Sequence, residues 1–411
     1  MRPASSSRQR VPEPEAQGLE TPLPQRPVRA AAPRVAVVCS ELHLSYGGPA
    51  QVVRRHAAAL RNRADVTIYG AAEPAHMADI VRDLPGARLF PAARPRRWFR
   101  GRGLRQALER EAAGFDVLHA HMFWEHGVWA AWRAARLARR PLVVTPHGAV
   151  SDPWRLRGLH KILYGRLVAT RILADVAALH VFTRHEEEAF RQYGYRGRIA
   201  VIPNGLPASE FSKEADRRTA LDTWPALRGR RVLLYLGRYW SGKGLDILPG
   251  AWADAGAGKG DWILVLAGPD YRGWQAEMEA EVGRLGIGGS VLITGPVRGP
   301  LKDSLLAASD CIVLPSHGEG FSMSLLEAMA AGRPTLYTRP CRLPELAEAG
   351  GGWCVDDSRE ALAGALGVLF GLAIAQLRQA GAAARALGRE RFTMECIADR
   401  LVALYRELGK R

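Results

Sequence analysis

From Arg34 onward the chain alternates short apolar runs with longer stretches of helical period, and it does so in two separate series. "RVAVVCS" (34–40), "DVTIYG" (65–70), "FDVLHAH" (115–121), "PLVVTPHG" (141–148), "ALHVFT" (178–183) and "IAVIPNG" (199–205) have strand length, and amphipathic stretches such as "EHGVWAAWRAARLA" (125–138) lie between them. After a polar stretch at 208–230 the alternation restarts with "RVLLYLG" (231–237), "DWILVLAG" (261–268), "VLITG" (291–295), "CIVLPS" (311–316) and "PTLYT" (334–338). Strand, helix and strand in succession make parallel pairs with crossover helices on both faces, so each series predicts a doubly wound α/β sheet. The expected architecture is two Rossmann-like domains facing across a cleft, over 34–206 and 207–390, with a helix at 391–411 packing back toward the first. In open parallel sheets ligands bind beyond the carboxyl ends of the strands, which makes that cleft the expected site.

Composition narrows the function classes. No apolar run reaches the roughly 18 residues of a membrane-spanning helix. The five cysteines include no CxxC pair and no metal-ligand spacing with histidine, which argues for a reducing compartment and against a disulfide framework or a zinc site. Residues 1–33 are rich in Pro, Ser, Ala and Arg without the apolar centre of a secretory signal, and read as a disordered leader. A cytoplasmic location is expected. The net charge is +16, of which +14 lies beyond the leader. Such a surplus favours an anionic partner: nucleic acid, a phosphorylated ligand or an acidic membrane surface. Its sharpest cluster is "RPRRWFRGRGLR" (94–105), where Arg94, Arg96, Arg97 and Arg100 interleave with Trp98 and Phe99. The aromatic pair directs the membrane reading to this patch, because amphipathic rings and cations share the lipid interface. A solvated arginine-rich face is the competing reading.

The stretch "HGEGFSMSLLEAMAAGRP" (317–334) places Glu319 at the end of a buried strand and Glu327 inside the following helix. Amides at a helix start form an anion site, and Gly318 and Gly320 let a phosphate approach the backbone. Ser324 and Glu327 have capping-box spacing, so a purely local role for Glu327 is also open. Glu319 has no such local role. A carboxylate beside an anion site must gain from another contact, and sugar hydroxyls, which donate to it, are the natural one.

The Glu319-x7-Glu327 arrangement, "GFSMSLLEA" and the later "GRP" resemble the signature of retaining glycosyltransferases of family 4, which have the GT-B fold. The resemblance runs over about residues 34–408 and includes, in order, "YGGPAQVV", "VVTPHGAVSDPW", "VIPNG", "YLGRYWSGKGLDIL", "VLAGPD" and "GPVRG". It implies that Glu319 binds donor-sugar hydroxyls, that the amides of Gly320, Phe321, Ser322, Met323 and Ser324 hold the distal phosphate, and that Glu327 takes the ribose hydroxyls. Arg238 and Lys243 match the basic pair that neutralises the diphosphate leaving group, as a departing diphosphate demands of its surroundings. Gly47 and Gly48 match the glycine loop bordering the reaction centre. His147 matches the histidine near the anomeric carbon and ranks above His119 and His121, which are expected nearer the acceptor. The loop around Val297 matches the segment touching the base. Ser322 stands where many members have a second glycine.

The chain has no Asp-x-Asp triplet, and metal-dependent transferases use one to hold magnesium or manganese on the diphosphate. No metal and no cofactor are therefore expected. What the resemblance implies is transfer of a hexose from a nucleotide diphosphate sugar, GDP-mannose or a UDP-hexose, to a hydroxyl of a glycan or lipid-linked acceptor in bacterial polysaccharide assembly. A GT-B epimerase or phosphorylase is the enzymatic alternative. Nucleic-acid binding is a distant one, because the chain contains no recognisable RNA or DNA module.

Overall fold

The computed structural model describes residues 32–46, 48–93, 98–150, 163–256 and 260–410. Strands β1 (Arg34–Cys39), β2 (Asp65–Ala72), β3 (Arg88–Pro91), β4 (Val117–His121), β5 (Leu142–Thr145), β6 (Ala178–Val181) and β7 (Ile199–Val201) form one sheet in the order β3-β2-β1-β4-β5-β6-β7. Strands β8 (Arg231–Leu236), β9 (Trp262–Ala267), β10 (Val291–Gly295), β11 (Cys311–Leu314), β12 (Thr335–Thr338) and β13 (Gly352–Val355) form the second, in the order β10-β9-β8-β11-β12-β13. All the pairings are parallel. Each order reverses beside its first strand, between β1 and β4 and between β8 and β11, and these switch points are where such sheets open a crevice.

The central strands are continuous apolar runs because helices cover both faces: β4, β5 and β9 are buried throughout. Two strands escape the sequence reading, β3 ("RLFP") and β13 ("GWCV"), and both are sheet edges. An edge strand has one neighbour and tolerates the proline and glycine that otherwise signal a loop. The first helix runs over Gly48–Leu60.

The last helix, Met394–Gly409, buries Ile397, Leu401, Val402, Tyr405 and Leu408 against Val35, Val37 and Val117 of the first sheet. The chain thus passes between the sheets twice, and the two passages lie side by side. Leu206 N donates to Phe392 O at 2.9 Å and Met394 N to Leu206 O at 2.7 Å. A Cβ on Gly205 would stand 2.8 Å from Phe392 O, so this approach requires glycine. Asn204 and Gly205 therefore serve the crossing, which is structural.

Candidate active site

Strand β11 ends at Leu314 and releases the loop that carries Glu319. The Glu319 side chain is only 9% exposed and accepts from Lys243 Nζ at 2.5 Å and from Ser316 Oγ at 2.8 Å. Its own backbone is held as well: the amide donates to Pro340 O at 3.1 Å, and the carbonyl accepts from Arg342 at 2.9 Å. Such anchoring on all sides fixes the carboxylate before any ligand arrives. Gly318 and Gly320 present the opposite situation. Neither has a positive φ, and a Cβ on either would meet nothing within 4 Å. The fold does not need glycine there, so the open space in front of the loop is what the glycines preserve.

Lys243 closes a short 3-10 turn after β8, and Gly244 follows it with φ 76°. A Cβ on Gly244 would lie 1.9 Å from Pro315 O. This contact wedges the β8 turn under the end of β11 and delivers the ammonium to Glu319. Arg238, at the end of β8, is exposed, lies over the Tyr271 ring at 5.6 Å and has no ion-pair partner among the described residues. One cation of the predicted basic pair is therefore engaged with the predicted sugar-binding carboxylate, and the other faces solvent.

The helix Met323–Ala330 corrects one expectation. Ser322 is its N-cap and accepts from Leu325 N, whereas Ser324 Oγ donates to Leu236 O at 2.7 Å. The Ser324–Glu327 capping box does not form. Serine at 322, in place of glycine, is explained by this cap. Glu327 instead accepts from Lys302 Nζ at 3.0 Å, and it lines a cavity of 360 Å³ between the two sheets, with Arg55, Glu210 and Gly299. Gly299 opens the helix that follows the loop holding Val297, whose side chain is buried against the second sheet's core. Glu327 and the start of this helix thus share one space. Phe321 and Met323 face the other half of the molecule: Phe321 meets Phe182 edge-on at 6.4 Å, and Arg55 reaches Met323 Sδ at 3.4 Å.

On the first sheet, His147 follows β5 with φ 52°, a left-handed conformation that is costly for a residue with a side chain. The next amide, Gly148 N, donates to the buried Glu186 carboxylate, which also accepts from Phe182 N at 2.7 Å. Glu186 so pins the His147 turn, although burial pushes its own pKa up to about 7. His147 Nε2 pairs with His121 Nδ1 at 3.1 Å. Burial, then the nearby His180, lowers the His147 pKa to about 3, leaving a neutral imidazole. His119, expected nearer the acceptor, is buried and bonded to Tyr405 Oη (2.6 Å) and Thr145 Oγ1 (2.7 Å), so its place is structural. Gly48 opens the first helix with nothing within 4 Å of a Cβ. Gly47, Arg94, Arg96 and Arg97 lie outside the described residues.

Sequence reasoning passes over Ser316, three residues before Glu319, and over Lys302, Arg342 and Arg55, which carry no motif and arrive through tertiary contact. Glu186 had a signal: Thr183-x-x-Glu186 is capping-box spacing, and Thr183 does cap its helix. Also missed are Glu41 and Glu125, beyond the ends of β1 and β4. Burial and then Glu125 raise the Glu41 pKa to about 8, and burial raises that of Glu125 to about 7 against the opposing hydrogen bond from Ser40. Groups perturbed in this way at strand ends are functional candidates.

Comparison with known proteins agrees with the fold. The profile described as "Glycosyl transferase 4-like domain" matches residues 47–205, and that of "Glycosyl transferases group 1" matches 230–371. The chain is 29% identical to a D-inositol 3-phosphate glycosyltransferase of Corynebacterium urealyticum over 72% of each chain. It is 25% identical to a GDP-mannose:cellobiosyl-diphosphopolyprenol alpha-mannosyltransferase of Komagataeibacter xylinus, over 73% of this chain and 74% of that one. Among solved structures, Anabaena HepE in complex with UDP superposes with a TM-score of 0.75 at 19% identity, covering 91% of this chain and all of the other. Two profiles that divide the chain as its two sheets do, relatives aligned across most of its length and a shared two-sheet fold lead to one conclusion: the chain belongs to the family 4 (group 1) glycosyltransferases, enzymes of the GT-B fold.

Proposed function

We propose that the protein transfers a hexose from a nucleotide diphosphate sugar to a hydroxyl of a glycan or lipid-linked acceptor, with retention of anomeric configuration and without a metal. The observation that carries the reading is the meeting of Lys243 and Glu319 in front of the open Gly318–Gly320 loop. A carboxylate that accepts from sugar hydroxyls and a cation that meets phosphate stand in direct contact, where the sugar and the phosphate of one donor can reach both. The Komagataeibacter xylinus relative, named for GDP-mannose and a diphosphopolyprenol acceptor, supports a nucleotide-sugar donor and a lipid-linked acceptor. UDP-hexose is the other donor, in line with the UDP complex of the structural neighbour.

In this mechanism the sugar sits against Glu319 and the neutral His147, the diphosphate against Arg238, Lys243 and the amides of Gly320–Ser324, and the ribose against Glu327, with the base beside Val297. Lys243 has three donors and can keep Glu319 while meeting a phosphate oxygen. The C1–oxygen bond to the diphosphate breaks, and negative charge grows on the leaving phosphate, where fixed cations lower the barrier. The leaving oxygen takes the proton of the acceptor hydroxyl as that hydroxyl attacks C1 from the same face. Glu41 and Glu125 stand on the acceptor side. We further propose that the halves act as domains, divided near 206/207 and 390/391, that close over the donor and exclude water. No single described helix is long and apolar enough to cross a membrane. Peripheral contact of the cytoplasmic enzyme through Trp98, Phe99, Arg100 and the neighbouring arginines is the reading we favour for the basic patch.

The test is the anomeric configuration of the product by NMR, with and without EDTA. Retention that EDTA leaves intact supports the mechanism, and an inverted linkage overturns it. Donor conversion without an acceptor would assign the epimerase alternative instead.

A further inference from the structure

The first half of the molecule holds a second cavity, of 420 Å³, lined by Trp98, Arg100, Gly103, Arg105, His126 and Trp129. It opens where the helices Leu104–Glu111 and His126–Ala138 begin, on the side where the strands end. Its electrostatics are one-sided. Arg105 binds Glu109 at 2.9 Å, but Glu109 also takes Arg133 at 3.1 Å, and Arg100 has no ion pair among the described residues. His126 Nδ1 is buried without a hydrogen-bond partner. Burial, followed by the charges of Arg100 and Arg105, lowers the His126 pKa, so both guanidinium groups are felt at the imidazole. Two cations beside a partly buried ring, with one carboxylate shared between Arg105 and Arg133, leave a net positive charge at the cavity that favours an anion.

The rim is apolar. Trp98 is 41% exposed and meets Tyr164 edge-on at 5.3 Å. Leu163 and Leu167, on the segment that carries Tyr164, are 56% and 52% exposed. Tyr164 also meets Trp124 at 5.8 Å, and Trp124 adjoins Glu125 at the acceptor end of the cleft. The cavity is thus joined to the acceptor side through two aromatic contacts.

We propose that this cavity binds a phosphoryl group carried on an apolar tail, with Arg100 and Arg105 on its oxygens and Trp98, Leu163 and Leu167 along the start of the tail. The proposal rests on the glycosyltransferase reading for its purpose and specifies the chemistry of the lipid-linked acceptor. The phosphoryl group has two sources, the acceptor's own diphosphate or the headgroup of an anionic phospholipid. The test follows the His126 imidazole by NMR in the full chain, its resonance assigned by its loss in His126→Gln. Inorganic pyrophosphate should raise the His126 midpoint by about one pH unit, since a bound anion stabilises the imidazolium. The rise should vanish in Arg100→Glu/Arg105→Glu, which must still unfold cooperatively at the wild-type temperature, and return in part in the double lysine variant. An equal rise with phosphatidylglycerol vesicles but not with phosphatidylcholine assigns the headgroup source. A rise with pyrophosphate but not with vesicles assigns the acceptor's diphosphate. A titration that none of these probes moves overturns the proposal. Failure of the glycosyltransferase reading would show as absent sugar transfer while the His126 titration still responded.

Discussion

The Lys243–Glu319 pair concentrates the chemistry of the site in two side chains that are 21% and 9% exposed. Each partner compensates the desolvation of the other, so neither can be changed independently. Glu319→Ala and Lys243→Ala should each lower kcat/KM by about 100- to 1,000-fold, the range for removing a group that acts on developing charge. In a double-mutant cycle the two should couple by roughly 1–3 kcal/mol of stability, as residues in one ion pair do. Urea unfolding of the four proteins measures this, and simple additivity would contradict the pairing. Gly320→Ala is a cleaner probe of the ligand. Nothing lies within 4 Å of the added methyl group, so the melting temperature should stay unchanged while donor KM rises. An unchanged KM would mean that the open space is not where the donor lies.

At the scale of elements, the cap of the helix Met323–Ala330 falls on Ser322. Ser322→Ala should cost about 1 kcal/mol in chemical denaturation, and Glu327→Ala should cost no cap. Gly244→Ala should act differently: with φ 76° and a carbonyl 1.9 Å from the new Cβ, the β8 turn must move and carry Lys243 away from Glu319. Activity should then fall toward that of Lys243→Ala. The elements themselves were largely legible in the sequence, because buried parallel strands are apolar runs of fixed length separated by helical period. The edge strands β3 and β13 were not, since proline ends one and glycine begins the other, whereas the edges β7 and β10 keep an apolar run. Glu319 and Lys243 were legible as motif residues, whereas Arg342 reaches Glu319, and Lys302 reaches Glu327, from distant sequence through tertiary contact. The capping-box reading failed because two serines, Ser322 and Ser324, stand at the helix start and spacing alone chose the wrong one.

Across the whole molecule, buried titratable groups set opposing pH dependences. His147 and His180 have pKa values lowered to about 3 and about 4, and His56, His119 and His121 are lowered as well, all chiefly by burial. As pH falls below about 6.5, these histidines take up protons in the unfolded chain but not in the fold, so stability drops by about 1.4 kcal/mol per pH unit for each fully unmatched proton. Glu41, Glu125 and Glu186 act the other way: raised to about 8, 7 and 7, they contribute stability at low pH that is lost as pH rises through those values. Denaturation midpoints should therefore peak near neutrality and fall more steeply on the acid side. The paired crossings at Leu206 and Phe392–Met394 bring both passages between the halves to one place, which is where the proposed closure would turn. The most direct test of the donor assignment is calorimetric titration of wild type, Glu319→Ala and Glu327→Ala with GDP-mannose and UDP-glucose and with the free nucleotides GDP and UDP. The account predicts that wild type binds one sugar nucleotide more tightly than its nucleotide, that Glu319→Ala loses that advantage but keeps nucleotide binding, and that Glu327→Ala weakens both. Wild-type binding by both variants would contradict it.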